Sequence, residues 1–159
     1  MMNTSLGSIQ IAGYTFVMYE LVPIMTLNRG VNLHSGACPS ITKINKYGDT
    51  LFCEFHLPSA HPYFKQKGLY CFMIGNCVKY IGKTTMGFGP RLNAYGHISA
   101  GVCSHKGQST NCRINSLINK AFCAGLSVRV GFCMLSNNET NSAEKSLLDL
   151  RFDWNIQLY

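Results

Sequence analysis

The chain has 159 residues, 47% of them hydrophobic and 13% charged, which fits one globular domain with a buried core and a small N-terminal extension, and excludes a disordered chain. Fourteen Lys and Arg against seven Asp and Glu give a formal charge of +7 and an isoelectric point near 9.1, a balance suited to a polyanion such as nucleic acid. The longest apolar run, Tyr14–Met25, is broken by Glu20 and Pro23 and falls short of the ~20 residues a membrane helix needs, so no membrane association is expected.

Met1–Ser8 lacks the basic segment and long apolar core of a signal peptide. The eight cysteines, at positions 38, 53, 71, 77, 103, 112, 123 and 133, include no CxxC pair, and several sit inside apolar patterns where a free thiol behaves as a small hydrophobe. A cytoplasmic protein with reduced thiols is therefore expected. Cys103, His105 and Cys112 form a loose metal-like cluster whose plainer reading is a polar loop.

In chain order, residues 1–13 are small and polar, and a frayed start is expected. Tyr14–Leu21 is rich in β-branched and aromatic residues and reads as a strand. Residues 28–40 contain Gly30, Gly36 and Pro39 and read as loop. Ser40–Ile44 and Thr50–Leu57 flank Tyr47-Gly48-Asp49 as a hairpin, with Cys53, Phe55 and Leu57 on one face. Residues 1–66 are thus expected to form a β-rich N-terminal region, which either helps grip a partner or extends the main sheet. Pro58–Lys67 is a connector that holds His61, read as a solvated histidine.

The central stretch is Gly68–Arg91. An apolar run, Gly68–Ile74, meets Gly75-Asn76, and a second run, Cys77–Thr84, follows at once; two β-prone runs joined by two such residues signal a tight hairpin. Both faces of the first run are apolar, as in a strand covered on both sides. Gly89-Pro90 stops the strand and starts a helix over Pro90–Ile98. Ser99–Thr110 reads as loop. Ile114, Leu117, Ile118, Ala121 and Phe122 give Cys112–Ala124 an amphipathic helical period, stopped at Gly125. Ser127–Leu135 is a third strand and Asn141–Phe152 a last helix, with Asn141 or Ser142 as N-cap.

Within this frame Tyr70 and Tyr80 lie on paired strands, and Arg91 and Tyr95 share a helix face. Taken singly, each has an ordinary reading: a strand aromatic, a solvated helical arginine. Glu144 could cap its helix, yet Leu147 and Leu148 follow at i+3 and i+4, which places the carboxylate on the apolar face. An inward carboxylate needs a partner, and a hard divalent cation is a good one.

Together, Gly68-Leu69-Tyr70, Tyr80-Ile81-Gly82-Lys83, Arg91, Tyr95, Glu144 and Asn155 resemble the GIY-YIG nuclease superfamily, over about Gly68–Asn155, with leucine replacing isoleucine in the first tripeptide. The resemblance implies an α+β fold: a three-stranded antiparallel sheet with flanking helices in the order ββααβα, residues 67–159 forming the nuclease domain. It implies a DNA phosphodiesterase that uses Mg²⁺ (or Mn²⁺) on Glu144, with Tyr70, Tyr80, Lys83, Arg91 and Tyr95 catalytic, and His97 and Asn155 secondary contacts to substrate. With the chain ending four residues after Asn155 and about 65 residues ahead of the module, it is most similar to the small stand-alone restriction endonucleases of the superfamily. Those act on double-stranded DNA, often as dimers or tetramers, so a homodimer is compatible with the reading. The other readings are a catalytically silent nucleic-acid-binding module, a nonspecific, structure-selective or homing-type nuclease, and a Cys-rich metal protein. RNA as substrate stays open.

Overall fold

The computed structural model describes residues 4–23, 25–28, 51–98 and 109–155. It is α+β. A five-stranded antiparallel sheet has the order β1-β2-β7-β5-β6 and a second sheet pairs β3 with β4. The strands are β1 (Ser5–Ile11), β2 (Tyr14–Glu20), β3 (Met25–Asn28), β4 (Leu51–Glu54), β5 (Gly68–Ile74), β6 (Cys77–Thr84) and β7 (Val128–Met134). The helices are α1 (Phe88–Gly96), α2 (Ser109–Cys123) and α3 (Asn137–Leu148). The chain divides into two compact units, one of Met1–Val22, Leu57–Arg91 and Leu126–Tyr159, the other of Pro23–His56 and Leu92–Gly125.

The first unit is built on the central hairpin. Gly75-Asn76 joins β5 to β6 so that Ile74 faces Cys77, as the sequence predicts; a bulge between Phe72 and Met73 then shifts the register, so that Phe72 faces Tyr80 and Tyr70 faces Gly82. The sheet exceeds the expected three strands. Within the small, polar stretch 1–13, residues 5–11 form β1 and turn back into β2 through Ala12 and Gly13, both at positive φ (48° and 87°), the conformation that suits a two-residue hairpin. β2 pairs with β7, so the N-terminal strands extend the sheet.

Alternation along the strands sorts the two sheet faces. One face carries Phe16, Met18, Leu69, Cys71, Ile81 and Cys133, which form a core with Ala143 and Leu147 of α3. The other carries Tyr19, Tyr70, Phe72, Tyr80 and Phe132. There Phe132 stacks on Tyr63 (5.5 Å between ring centroids) and packs against Phe88 (4.7 Å), which begins α1. His61, read as solvated, is buried in this group, 4.8 Å from the Tyr19 ring, and its Nδ1 accepts the Tyr63 N–H.

α3 begins four residues earlier than expected. Ser136 is the N-cap, and its hydroxyl and the Glu139 carboxylate exchange hydrogen bonds with each other's backbone N–H in a capping box. Asn141 therefore sits inside the helix and caps nothing.

In the second unit β4 pairs with β3, through contacts Met25–Glu54 to Asn28–Leu51. The strand and turn expected at 40–49, and most of the loop expected at 99–110, lie outside the described residues; Ser109 and Thr110 belong to α2. Asn115 of α2 acts as a strand would: its Oδ1 accepts the Cys53 N–H (3.0 Å) and its Nδ2 donates to Cys53 O (2.7 Å) and Tyr95 O (2.7 Å). The buried face of α2 accordingly differs from the apolar stripe expected. It includes Asn111, Asn115, Ser116 and Asn119 with Ile114, Ile118 and Ala121, while Phe122 is 40% exposed. Cys112 is disulfide-bonded, unlike the reduced thiols expected; Cys53, Cys71, Cys77, Cys123 and Cys133 are free.

Candidate active site

The motif residues of the first unit assemble as two groups, one on each face of β6. The first group is Tyr70, Tyr80 and Arg91. Tyr70 and Tyr80 project from paired strands on the aromatic face, with ring centroids 6.1 Å apart, and Phe72 lies about equally close to both, at 6.1 and 6.0 Å. Arg91 reaches them from the first turn of α1, where its Nε–H donates to Tyr70 Oη at 2.8 Å. That turn is fixed by the connector: Phe88 N–H donates to Gln66 O (2.8 Å) and Gly89 N–H to Phe64 O (2.9 Å). The bond holds the Tyr70 oxygen as an acceptor beside a fixed positive charge.

The motif glycines have spatial reasons. A Cβ on Gly82 would overlap the Tyr70 hydroxyl and come within 2.9 Å of Tyr80 Cε1, so the absent side chain is what lets the Tyr70 ring extend across β6. Gly68 combines a φ of +137° with an approach to the β7 backbone so close that a Cβ would overlap Cys133 O.

The second group is Lys83, Asn141 and Glu144, on the α3 side of the sheet. Lys83 follows Gly82 and so points to the opposite face. Its Nζ lies 2.9 Å from Glu144 Oε2 and donates to Asn141 Oδ1 at 2.8 Å. The Lys83 and Glu144 side chains are 40% and 20% exposed, so the pair is open to solvent on one side. Asn141 is the functional candidate the sequence reading passed over. Ser136-x-x-Glu139 spells the helix start, and once the helix starts there Asn141 and Glu144 are three apart on one face.

The outer edge of β6 is closed by the segment after α3. Asn155 gives its whole amide to Ile81: Oδ1 accepts the Ile81 N–H (2.9 Å) and Nδ2 donates to Ile81 O (2.8 Å). Trp154 N–H donates to Lys79 O (2.8 Å), and Asp153 pairs with Lys79 at 2.5 Å. Asn155 thus holds the motif strand in place. Gly82 and Lys83 lie beyond this seal.

Tyr95 and His97 belong to the second unit. Tyr95 is fully buried. His97 is exposed just past α1, with its N–H donating to Asn93 O at 2.9 Å.

Among the described residues no group of three or more His, Cys, Asp or Glu side chains gathers as a metal cluster. Mg²⁺ does not require one, since it commonly takes one or two carboxylates and completes its shell with water and substrate phosphate oxygens. Glu144, a partly open carboxylate, fits that donor set. Of the proposed sulfur cluster, Cys103 and His105 lie outside the described residues. Burial pushes the thiols of Cys53 and Cys71 up to about 12, so both stay protonated at neutral pH and are poor ligands. Among the described residues, no helix is long and apolar enough to cross a membrane. No protein-family model matches the chain, and neither a curated protein nor a solved structure matches it.

Proposed function

We propose that the protein is a metal-dependent endonuclease that hydrolyses phosphodiester bonds in double-stranded DNA, in the manner of the GIY-YIG superfamily and most like its restriction-type members. The observation that carries this reading is the 2.8 Å bond from Arg91 to Tyr70 beside Tyr80, which unites residues far apart in sequence. The order strand, strand, helix, helix, strand, helix from Gly68 to Leu148 supports it, as does the basic net charge of +7.

The scissile phosphate lies over the edge of β6 at Gly82–Lys83, where the two groups flank the same strand. Tyr70 removes the proton from the attacking water, its phenolate stabilised by Arg91 and, across the site, by Lys83. Arg91 also offers guanidinium N–H groups to the non-bridging oxygens as charge builds on them. Glu144 would hold a Mg²⁺ or Mn²⁺ ion, which when bound supplies Lewis-acid stabilisation of the phosphate and leaving oxygen. Tyr80 supports Tyr70, and Asn155 keeps Ile81, and with it the strand, in register.

The test is cleavage of plasmid and genomic DNA with Mg²⁺, beside EDTA and Glu144→Ala controls. Discrete fragments that vanish in both controls are expected and would yield the recognition site. A smear would point to a nonspecific or structure-selective nuclease. DNA binding without cutting would favour the silent binding module.

A further inference from the structure

Lys83, Asn141 and Glu144 form a closed set in which one ammonium satisfies two oxygens. Lys83 Nζ is 2.8 Å from Asn141 Oδ1 and 2.9 Å from Glu144 Oε2. We propose that the Lys83 ammonium is an internal stand-in for the divalent cation: it neutralises Glu144 in the free protein, yields that carboxylate to the metal on loading, and is kept beside the site by Asn141. The proposal rests on the endonuclease reading and adds to it how metal loading is coupled to release of a catalytic cation.

Three arguments lead there. Asn141 and Glu144 are one turn apart on α3, so their oxygens converge on a single point. The ammonium is held by both at once, and of the two the anionic oxygen is the one a hard divalent cation takes while the amide oxygen keeps the ammonium. Next, the exchange is inexpensive. A partly exposed Lys–Glu pair is only weakly stabilising, so Glu144 would readily exchange the ammonium for an ion of twice the charge. An arginine at position 83 would bind the carboxylate through two parallel bonds and resist displacement, whereas a lysine is a point charge on a flexible stem.

The third argument is positional. Lys83 is the neighbour of Gly82, over which the Tyr70 hydroxyl sits. An ammonium released from Glu144 but still bonded to Asn141 remains at the edge of β6, next to the phosphate. Until the metal arrives, Glu144 and Lys83 neutralise each other; afterwards the carboxylate serves the metal and the ammonium serves the phosphate. Asn141 is a positioning residue in this scheme.

The experiment measures Mn²⁺ binding to the full chain by the electron paramagnetic resonance of free Mn²⁺, with and without a short duplex, for wild type, Glu144→Gln, Lys83→Met and Asn141→Ala. Binding is expected to vanish in Glu144→Gln and to tighten up to about fivefold in Lys83→Met, on the order of 1 kcal/mol, although that variant cuts DNA more slowly. Asn141→Ala is expected to keep or exceed wild-type affinity while its kcat falls. In wild type the Lys83 Cε–H NMR signal should move on Mg²⁺ addition, and in Glu144→Gln it should not. This last readout does not depend on the Lys83 variant folding.

Unchanged or weaker Mn²⁺ binding in Lys83→Met, or a Lys83 signal unmoved by saturating Mg²⁺, overturns the exchange. Weaker binding in Asn141→Ala makes Asn141 a ligand and overturns its positioning role. If wild type cuts DNA with Mg²⁺ and the exchange fails these tests, the endonuclease reading survives alone. Wild type that shows neither Glu144-dependent binding nor cutting removes both.

Discussion

At the scale of single residues, Gly82 tests the site most sharply, because the hydroxyl of Tyr70 occupies the space its side chain would need. Gly82→Ala forces the ring aside or bends β6, and either breaks the Arg91–Tyr70 bond. Overpacking of this kind costs about 1–3 kcal/mol of stability, readable by urea denaturation. A displacement near 1 Å is expected to slow cutting about a hundredfold, measured as single-turnover rate on plasmid DNA. A variant that is equally destabilised but cuts normally would detach Tyr70 from the chemistry. The cysteines give a second residue-scale expectation. Burial holds the Cys53 and Cys71 thiols up at about 12, while Cys77 and Cys123 are exposed. Iodoacetamide at pH 8 should therefore alkylate Cys77 and Cys123 first and reach Cys53 and Cys71 only on unfolding, with mass spectrometry of tryptic peptides as readout.

At the scale of elements, the start of α3 sets where Asn141 and Glu144 point. Ser136→Ala removes the cap and should cost about 1 kcal/mol. Glu139 adds a pH-dependent part. Its hydrogen bonds from the Ser136 side chain and backbone hold its carboxyl below the usual carboxylate value. Its contribution is therefore fully present above the unfolded value of about 4.3 and is lost as pH falls through the lower folded value. The stability gap between wild type and Glu139→Gln should be constant near neutral pH and close in acid, as thermal melts across pH 2–7 would reveal. Asn155→Ala tests the seal on β6. It leaves the Ile81 N–H and C=O without the amide that pairs both, at a cost of about 1–3 kcal/mol. Hydrogen exchange of the Ile81 amide should accelerate, and more than that of Cys71 across the hairpin.

What could be read from the sequence followed the range of the forces involved. The β5–β6 hairpin was legible because its apolar runs and two-residue turn are local. The pairing of Tyr70 with Tyr80 then followed, apart from the bulge that sets the register. β1 was not legible: in Ser5–Ile11 only Leu6, Ile9 and Ile11 are apolar, Leu6 is exposed, and the segment is a strand because β2 lies beside it. The burial of Asn115 was equally hidden, since its amide serves the Cys53 backbone, 62 positions away. Asn141 was missed for a local reason. Asn141 and Ser142 are good caps by residue type, but Ser136 has Glu139 three residues on, and the reciprocal pair outcompetes the lone residue.

At the scale of the whole molecule, β1 and β2 belong to the same compact unit as β5, β6, β7 and α3. β7 lies between β2 and β5 in the sheet, and Phe16 and Met18 fill the core beside Cys71 and Leu147. Met18 also closes over Gly131, where an added Cβ would stand 2.5 Å from its Sδ. A fragment of residues 67–159 would leave the edge of β7 unpaired and expose the apolar surfaces that Phe16 and Met18 cover, each worth about 1.5–3 kcal/mol when buried. Against a total stability of about 5–15 kcal/mol for a domain, that loss is a large fraction. The fragment is therefore expected to lose cooperative thermal unfolding and to bind a hydrophobic dye, whereas the full chain melts in one or more sharp transitions. A boundary between residues 66 and 67 that separates two self-sufficient domains leads to the opposite result: a fragment with a sharp melt and retained cutting. Circular dichroism melts of the two proteins side by side decide between them. If the fragment folds, the N-terminal strands are dispensable to the motif hairpin, and a role for them must be sought in DNA contact. If it does not, the strands are part of the platform that holds Tyr70 against Arg91.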